Sequence, residues 1–177
     1  MKIAILIFAL LYVLAGCTKV DQYPTLSHSG KNIVAYRLNG RAIVISGHLV
    51  HPSGMGIYLG PDWGVEYTNG SNYFGIYASD NTGMNNLGIQ IKFDSTTGTY
   101  PIYMDPTVVY PSITGAFYNT PSSGTNLHFF QTDNSHTGYV HVTYYDGDII
   151  AGTFSFDAVD SGQVCHITDG IFDIASQ

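Results

Sequence analysis

The sequence predicts an all-β protein, an antiparallel β-sandwich or flattened barrel of about nine or ten strands that finishes in a C-terminal β-meander. Three observations carry this prediction. Apolar residues after the N-terminus recur with period two, and no stretch holds a period of 3.6 for long. Asn-Gly, Asp-Gly and Ser-Gly steps break the alternation at short intervals, as hairpin turns do. The 20 glycines, 14 tyrosines and 9 phenylalanines suit pleated strands packed by aromatic rings and joined by many turns.

The N-terminus is a different kind of segment. Lys2 is a positive start, Ile3 to Val13 is an almost unbroken apolar run, and Leu14-Ala15-Gly16-Cys17 follows directly. A charged start, an apolar run of this length and a small-residue cleavage site are the parts of a secretory signal. A membrane-spanning helix needs about 20 apolar residues. Thr18, Lys19 and Asp21 end this run too early for that. The cysteine changes the class of signal, because Leu14-Ala15-Gly16-Cys17 resembles the lipobox of bacterial lipoproteins. That resemblance implies a cleaved signal over residues 1–16 and a diacylglycerol on the Cys17 thiol. It further implies an acylated Cys17 amine and attachment to the outer membrane. Each buried methylene contributes about 0.8 kcal/mol, so several chains on one residue hold firmly where a single chain does not.

Removing 16 of the 177 residues leaves 161, enough for one domain with a real core. Lys2 is the only charged residue lost, so the net charge moves from −7 to −8. An acidic, sparsely charged chain without a basic cluster argues against a nucleic-acid partner and against general attraction to anionic lipid. With Cys17 committed to lipid, Cys165 stands alone and no internal disulfide forms. Cys165 lies between Val164 and His166 in an apolar strand, which predicts a small core residue rather than a reactive thiol.

From Cys17 to residue 31 the chain is polar and turn-rich and reads as a flexible tether, with a single domain over residues 32–177. Val34, Tyr36 and Leu38 alternate before Asn39-Gly40, a tight turn into Ala42 to Ile45. Leu87, Ile89, Ile91 and Phe93 point one way, with Gly88, Gln90, Lys92 and Asp94 the other, so this strand has one wet face. Tyr139 to Tyr145 is a strand, Asp146-Gly147 a turn, and Ile149 to Val159 the return. Asp160-Ser161-Gly162 and then Asp169-Gly170 read as two further turns, separating Val164–Thr168 from Ile171–Ile174.

Two stretches of this meander are Gly152-Thr153-Phe154-Ser155-Phe156-Asp157-Ala158-Val159 and Val164-Cys165-His166-Ile167-Thr168-Asp169-Gly170-Ile171-Phe172-Asp173-Ile174. They resemble the ending of a family of uncharacterised lipoproteins from gut-type bacteria. Asn39-Gly40 and Gly98-Thr99-Tyr100 resemble its earlier landmarks more loosely. The resemblance implies a small secreted β domain and brings no catalytic residue, cofactor or ligand with it.

Residues that could carry chemistry are few. His48 and His51 are three apart, a ligand spacing on a helix, but Gly47, Pro52 and Gly54 disfavour a helix there. His128, His136 and His141 have no metal-ligand spacing. Asp80 to Asn86 is rich in oxygen ligands, without the calcium-loop pattern, and uses the residues of an ordinary turn. No nucleophile elbow or phosphate-binding loop is present, and Glu66 is the only glutamate. The expectation is a non-enzyme with no cofactor and no metal.

The functional pointer is aromatic. Tyr58, Trp63, Tyr67, Tyr73 and Tyr77 are interleaved with Gly60, Asp62, Asn69, Gly70 and Asn72. Aromatic faces beside amides and carboxylates stack on sugar rings and bind their hydroxyls. Tyr58, Trp63, Tyr67 and Tyr73 are therefore the candidate ligand-binding residues, with Trp63 expected to be the most exposed. Tyr110 to Tyr118 forms a second aromatic stretch. Equally, such tyrosines can simply cover a core. Two functions follow: an accessory module that binds an extracellular ligand of the glycan type, or an assembly lipoprotein that meets another envelope protein. A cleft with convergent Asn and Asp favours the first, and a flat exposed patch favours the second.

Overall fold

Period-two patterning becomes strand throughout the residues that the computed structural model describes, which are 23–47, 60–68, 71–80, 82, 85–103, 115–121 and 127–176. None of these is helical. Eleven strands lie among them. β1 (Ile33–Leu38), β2 (Arg41–Ser46), β3 (Gly60–Thr68), β4 (Ser71–Ser79), β5 (Asn86–Lys92) and β6 (Gly98–Ile102) come first. β7 (Gly115–Pro121), β8 (Leu127–Gln131), β9 (Gly138–Tyr145), β10 (Ile149–Asp160) and β11 (Gln163–Ala175) follow.

All pairing is antiparallel, and the sheet runs β2-β1-β11-β10-β8-β7-β5-β4-β3. Its two ends, β2 and β3, approach each other without a hydrogen-bonded ladder, so the sheet curls into an almost closed barrel. The wall between β5 and β10 is built in two tiers. Residues 150–156 of β10 pair with β9, which pairs with β6, while Val159 of β10 pairs with Gln131 of β8. β8 in turn pairs with β7, and β7 with β5. Long β10 and β11 form the spine to which both tiers attach.

The alternating residues of every strand fill the interior. Val34 and Tyr36, Phe74 and Ile76, Leu87, Ile89 and Ile91, Val140 and Val142, Phe154 and Phe156, and Ile167 and Phe172 are all buried. The predicted inward set Leu87, Ile89, Ile91 and Phe93 faces this core as the alternation requires. Aromatic rings form a continuous chain across it. Phe154 lies 6.4 Å from both Phe156 and Phe172, Phe172 lies 6.3 Å from Phe74, and Phe74 lies 5.4 Å from Phe93. Burying each such side chain contributes roughly 1.5–3 kcal/mol relative to leaving it in water.

The turns follow local chemistry, with one correction. Asn39 and Gly40 both have positive φ (48° and 86°), the mirror-image hairpin turn that Asn-Gly favours. Ser161 and Gly162 do the same between β10 and β11. Asp169-Gly170, expected to be another hairpin turn, lies inside the single strand β11 as a β-bulge. The register slips there against both neighbours, and Asp169 takes a φ of 52°. Gly170 is needed for a close approach rather than for a turn, since a Cβ there would sit 2.5 Å from the Phe154 carbonyl oxygen.

The second correction concerns the tether. Residues 23–32 do not trail away from the barrel but lie against its outer wall as a strap. The Tyr23 hydroxyl donates to the Asp169 carbonyl at 2.6 Å, with the Arg37 guanidinium 5.2 Å over the ring. Asp173, 1% exposed, accepts from the Ser27 hydroxyl and from the Ser29 and Gly30 N–H groups. His28 stacks on Tyr144 at 5.2 Å, and Asn32 accepts from the Ala175 N–H. A buried carboxylate requires donors; the strap supplies them.

Candidate functional site

Strand register decides where the candidate ligand-binding residues go. Trp63 on β3 is opposite Ile76 on β4, so it shares the inward face with Phe74 and Ile76. Its ring lies 6.0 Å from Phe74 and 6.1 Å from Tyr145, half-buried against the core. The expectation that Trp63 is the most exposed aromatic is corrected: the Pro61-Asp62-Trp63-Gly64 sequence looks like a turn, but cross-strand pairing makes it a strand. Tyr73 faces outward and is only 7% exposed, so little of its ring is open to a ligand. The Tyr67 backbone is part of β3, and its side chain lies outside the described residues. Tyr58 and Cys17 also lie outside them.

The outer face of β3, β4, β5, β7 and β8 carries what that reading missed. Register aligns Asp62, Tyr77, Gly88, Phe117 and Gln131 in one row across five strands. The next row holds Ser79, Asn86, Asn119 and Phe129. Tyr77 is 48% exposed and Phe129 43% exposed. Phe117 and Phe129 lie nearly parallel, with centroids 5.5 Å apart. Two glycines of this face, Gly75 and Gly88, make room for the rings. A Cβ on Gly88 would meet the Phe117 ring at 2.1 Å, and one on Gly75 would meet the Tyr77 ring at 3.0 Å. Aromatic rings thus lie over bare backbone, a device that stabilises glycine-containing strands. Sequence held half of the signal: Gly88 and Gln90 alternate outward, but only the register shows that rings from β4 and β7 flank them.

Chemically this is a platform of three rings among amide side chains, Asn86, Gln90, Asn119 and Gln131, with few charges. Strands are spaced about 4.8 Å apart, so Tyr77 on β4 and Phe117 on β7 are separated by roughly 10 Å. Among the described residues, Asn119 Oδ1 and Ser79 Oγ are buried there without a hydrogen-bond partner. Buried polar atoms are nearly always satisfied.

Other groups of interest are separated and locally engaged. His128 meets Asp160 at 2.9 Å, His136 meets Asp133 at 2.9 Å, and His166 meets Asp157 at 2.7 Å. His141 instead meets Thr99 at 2.8 Å. Among the described residues, no three His, Cys, Asp or Glu side chains gather as a metal site. Asp80 accepts from the Thr82 N–H and hydroxyl and from the Asn85 amide, as a self-bonded turn does. Cys165 is buried, and that burial pushes its thiol up to about 11, which keeps it protonated and inert at neutral pH. Burial also raises the hydroxyls of Tyr36 and Tyr118, which meet edge to face inside the barrel.

Compared with known proteins, the chain matches no family model, no curated protein and no solved structure.

Proposed function

We propose that this chain is a bacterial lipoprotein held to the outer membrane through Cys17. Its barrel is a non-catalytic module that binds an extended, neutral glycan across the outer face of β4, β5, β7 and β8. The carrying observation is the pair of adjacent rows that set exposed Tyr77 and Phe129, with half-buried Phe117 between them, among Asn86, Gln90, Asn119 and Gln131. Sugar rings are apolar on their faces and polar at their edges, so they match rings set among amides better than they match charge. The N-terminal pattern supports the anchoring half, which rests on Leu14-Ala15-Gly16-Cys17.

Screening the domain from Asp21 onward against soluble polysaccharides tests the ligand. Phe129→Ala should lose binding while leaving Tm nearly unchanged, and Tyr77→Ala should lose binding with a fall in stability of no more than about 1 kcal/mol, because its ring also covers Gly75. Trp63→Ala should do the reverse, costing about 2 kcal/mol, roughly half the penalty of a fully buried aromatic, and keeping affinity. Wild-type protein that binds no glycan would sink the ligand assignment. For the anchor, Cys17→Ser should abolish labelling by a clickable fatty acid, and persistent labelling would refute lipidation.

One observation favours a second reading, in which the platform meets another envelope protein. Its two most exposed rings, Tyr77 and Phe129, stand on the outward face of the sheet, as side chains of a protein contact surface do. Retention of a partner protein that depends on Phe129, with no glycan binding, would select it.

A further inference from the structure

The strap fixes where the chain leaves the barrel, and that position sets how the barrel can stand on a membrane. Tyr23 is pinned at β11 by its hydrogen bond to Asp169 and by Arg37, which also pairs with Asp169 at 3.4 Å. Only residues 18–22 separate Tyr23 from Cys17. Fully extended, that leash spans about 20 Å. Around the barrel, β4 and β5 are the strands farthest from β11. β5 is four strand steps away through β10, β8 and β7, and β4 is four steps away through β1, β2 and β3. At roughly 4.8 Å per step, the backbone arc alone consumes about 19 Å, before side chains are cleared.

We propose that the outer wall of β1 and β11 is the membrane-facing side of this protein, with the lipid surface that holds Cys17 as its partner. The β4–β5 part of the ring-and-amide platform, with Tyr77, Asn86 and Gln90, then points away from the bilayer, and the β7 and β8 part lies at its flank. This rests on the reading of Cys17 as the lipidated residue. The leash is too short to wrap the barrel and still reach the lipid, so the opposite orientation is excluded while the strap stays docked. Asp173 keeps it docked by accepting from Ser27, Ser29 and Gly30, and Gly30 lies so close to Ala175 that a Cβ there would sit 2.9 Å from the Ala175 Cβ. Were the strap free, the leash would extend from Cys17 to β1 and span roughly 55 Å, enough to permit any orientation. The consequence for function is direct. A distal platform meets ligands arriving from outside the membrane, and the wall nearest the lipid is shielded from them.

The test uses the full lipidated chain on phosphatidylethanolamine–phosphatidylglycerol vesicles that carry a headgroup acceptor dye. A donor dye is placed either at Val164→Cys on β11 or at Lys92→Cys on β5, both exposed positions. Energy transfer should be stronger from position 164 than from position 92. A ten-residue Gly/Ser insertion after Asp21 lengthens the leash without touching the barrel and should abolish the difference. Equal transfer from both positions in the uninserted protein, or stronger transfer from position 92, overturns the orientation. So does a difference that survives the insertion, because leash length would then not be its cause. A chain that fails to bind vesicles overturns anchoring and orientation together, which separates the two failures.

Discussion

The two outer walls of this barrel are built from the same period-two strands, yet they solve different problems. On the wall of β1, β10 and β11, the outward positions include Ala35, Ala151 and Asp173, all buried, with the strap laid alongside. On the wall of β4, β5, β7 and β8, the outward positions are Tyr77, Gly88, Gln90, Phe117 and Phe129, and two of the rings remain substantially exposed. A wall whose outward side chains are small or need donors is completed by the protein's own chain. A wall that covers its glycines with aromatic rings has already shielded its backbone, and its ring surface remains open for something else. The difference leaves one wall closed by the chain itself and the other with exposed rings on one continuous sheet.

The strongest way to break this comparison is to attack the spine that both walls share. Phe156 is 2% exposed inside β10, and Phe156→Ala should cost on the order of 3–5 kcal/mol in urea unfolding. A loss below about 1 kcal/mol would mean the core is not centred on β10. Next in size, Asp173→Ala should cost about 1–3 kcal/mol, because it leaves the Gly30 and Ser29 N–H groups without their acceptor. Limited proteolysis should then cut between Tyr23 and Asn32. A strap that stays protease-resistant would show that Asp173 does not hold it.

On the open wall the stability effects should shrink. Phe129→Ala is expected to change stability by no more than about 0.5 kcal/mol in the same unfolding measurement. A loss several times larger would make this ring part of the packing, and the contrast between the walls would fail.

The smallest effect is electrostatic and falls on turns. Asp94 is held below the usual carboxylate range chiefly by the Thr96 hydroxyl, and Asp133 chiefly by the His136 backbone N–H. Asp146 is lowered chiefly by the Ile149 N–H, and Asp160 chiefly by His128. For depressed carboxylates the stabilisation is complete above their unfolded value, near 3.8, and disappears as pH falls through the lower folded values. Melting curves should therefore be flat on this account from neutral pH to about 5 and decline below about 4. Asp133, Asp146 and Asp160 flank β9 and β10, so Asp146→Asn should remove part of that decline. An unchanged acid profile in that variant would exclude the β9–β10 turn as a source.

Much of the fold was legible because it is local. Alternation placed Leu87, Ile89, Ile91 and Phe93 inward, and Asn39-Gly40 announced its own turn through the positive φ it tolerates. The C-terminal meander followed from short-range spacing of turns and strands. The candidate site was legible only in part. An aromatic-rich stretch could be recognised, but which of its members reaches water could not.

What the sequence determined by itself was thus the class of structure: antiparallel strands, their inward faces and most hairpins, all properties of neighbours within a few residues. Tertiary structure alone decided three things. It turned Asp169-Gly170 into a bulge, because β11 is paired on both sides and cannot fold back there. It turned Trp63 inward, because pairing with Ile76 overrides the turn-like residues around it. It laid the polar segment 23–32 on the wall, because Asp173, 143 positions from Gly30, is buried and needs its donors. Each outcome depends on a partner remote in sequence, and the free energy of pairing or burial at that partner outweighs the local preference.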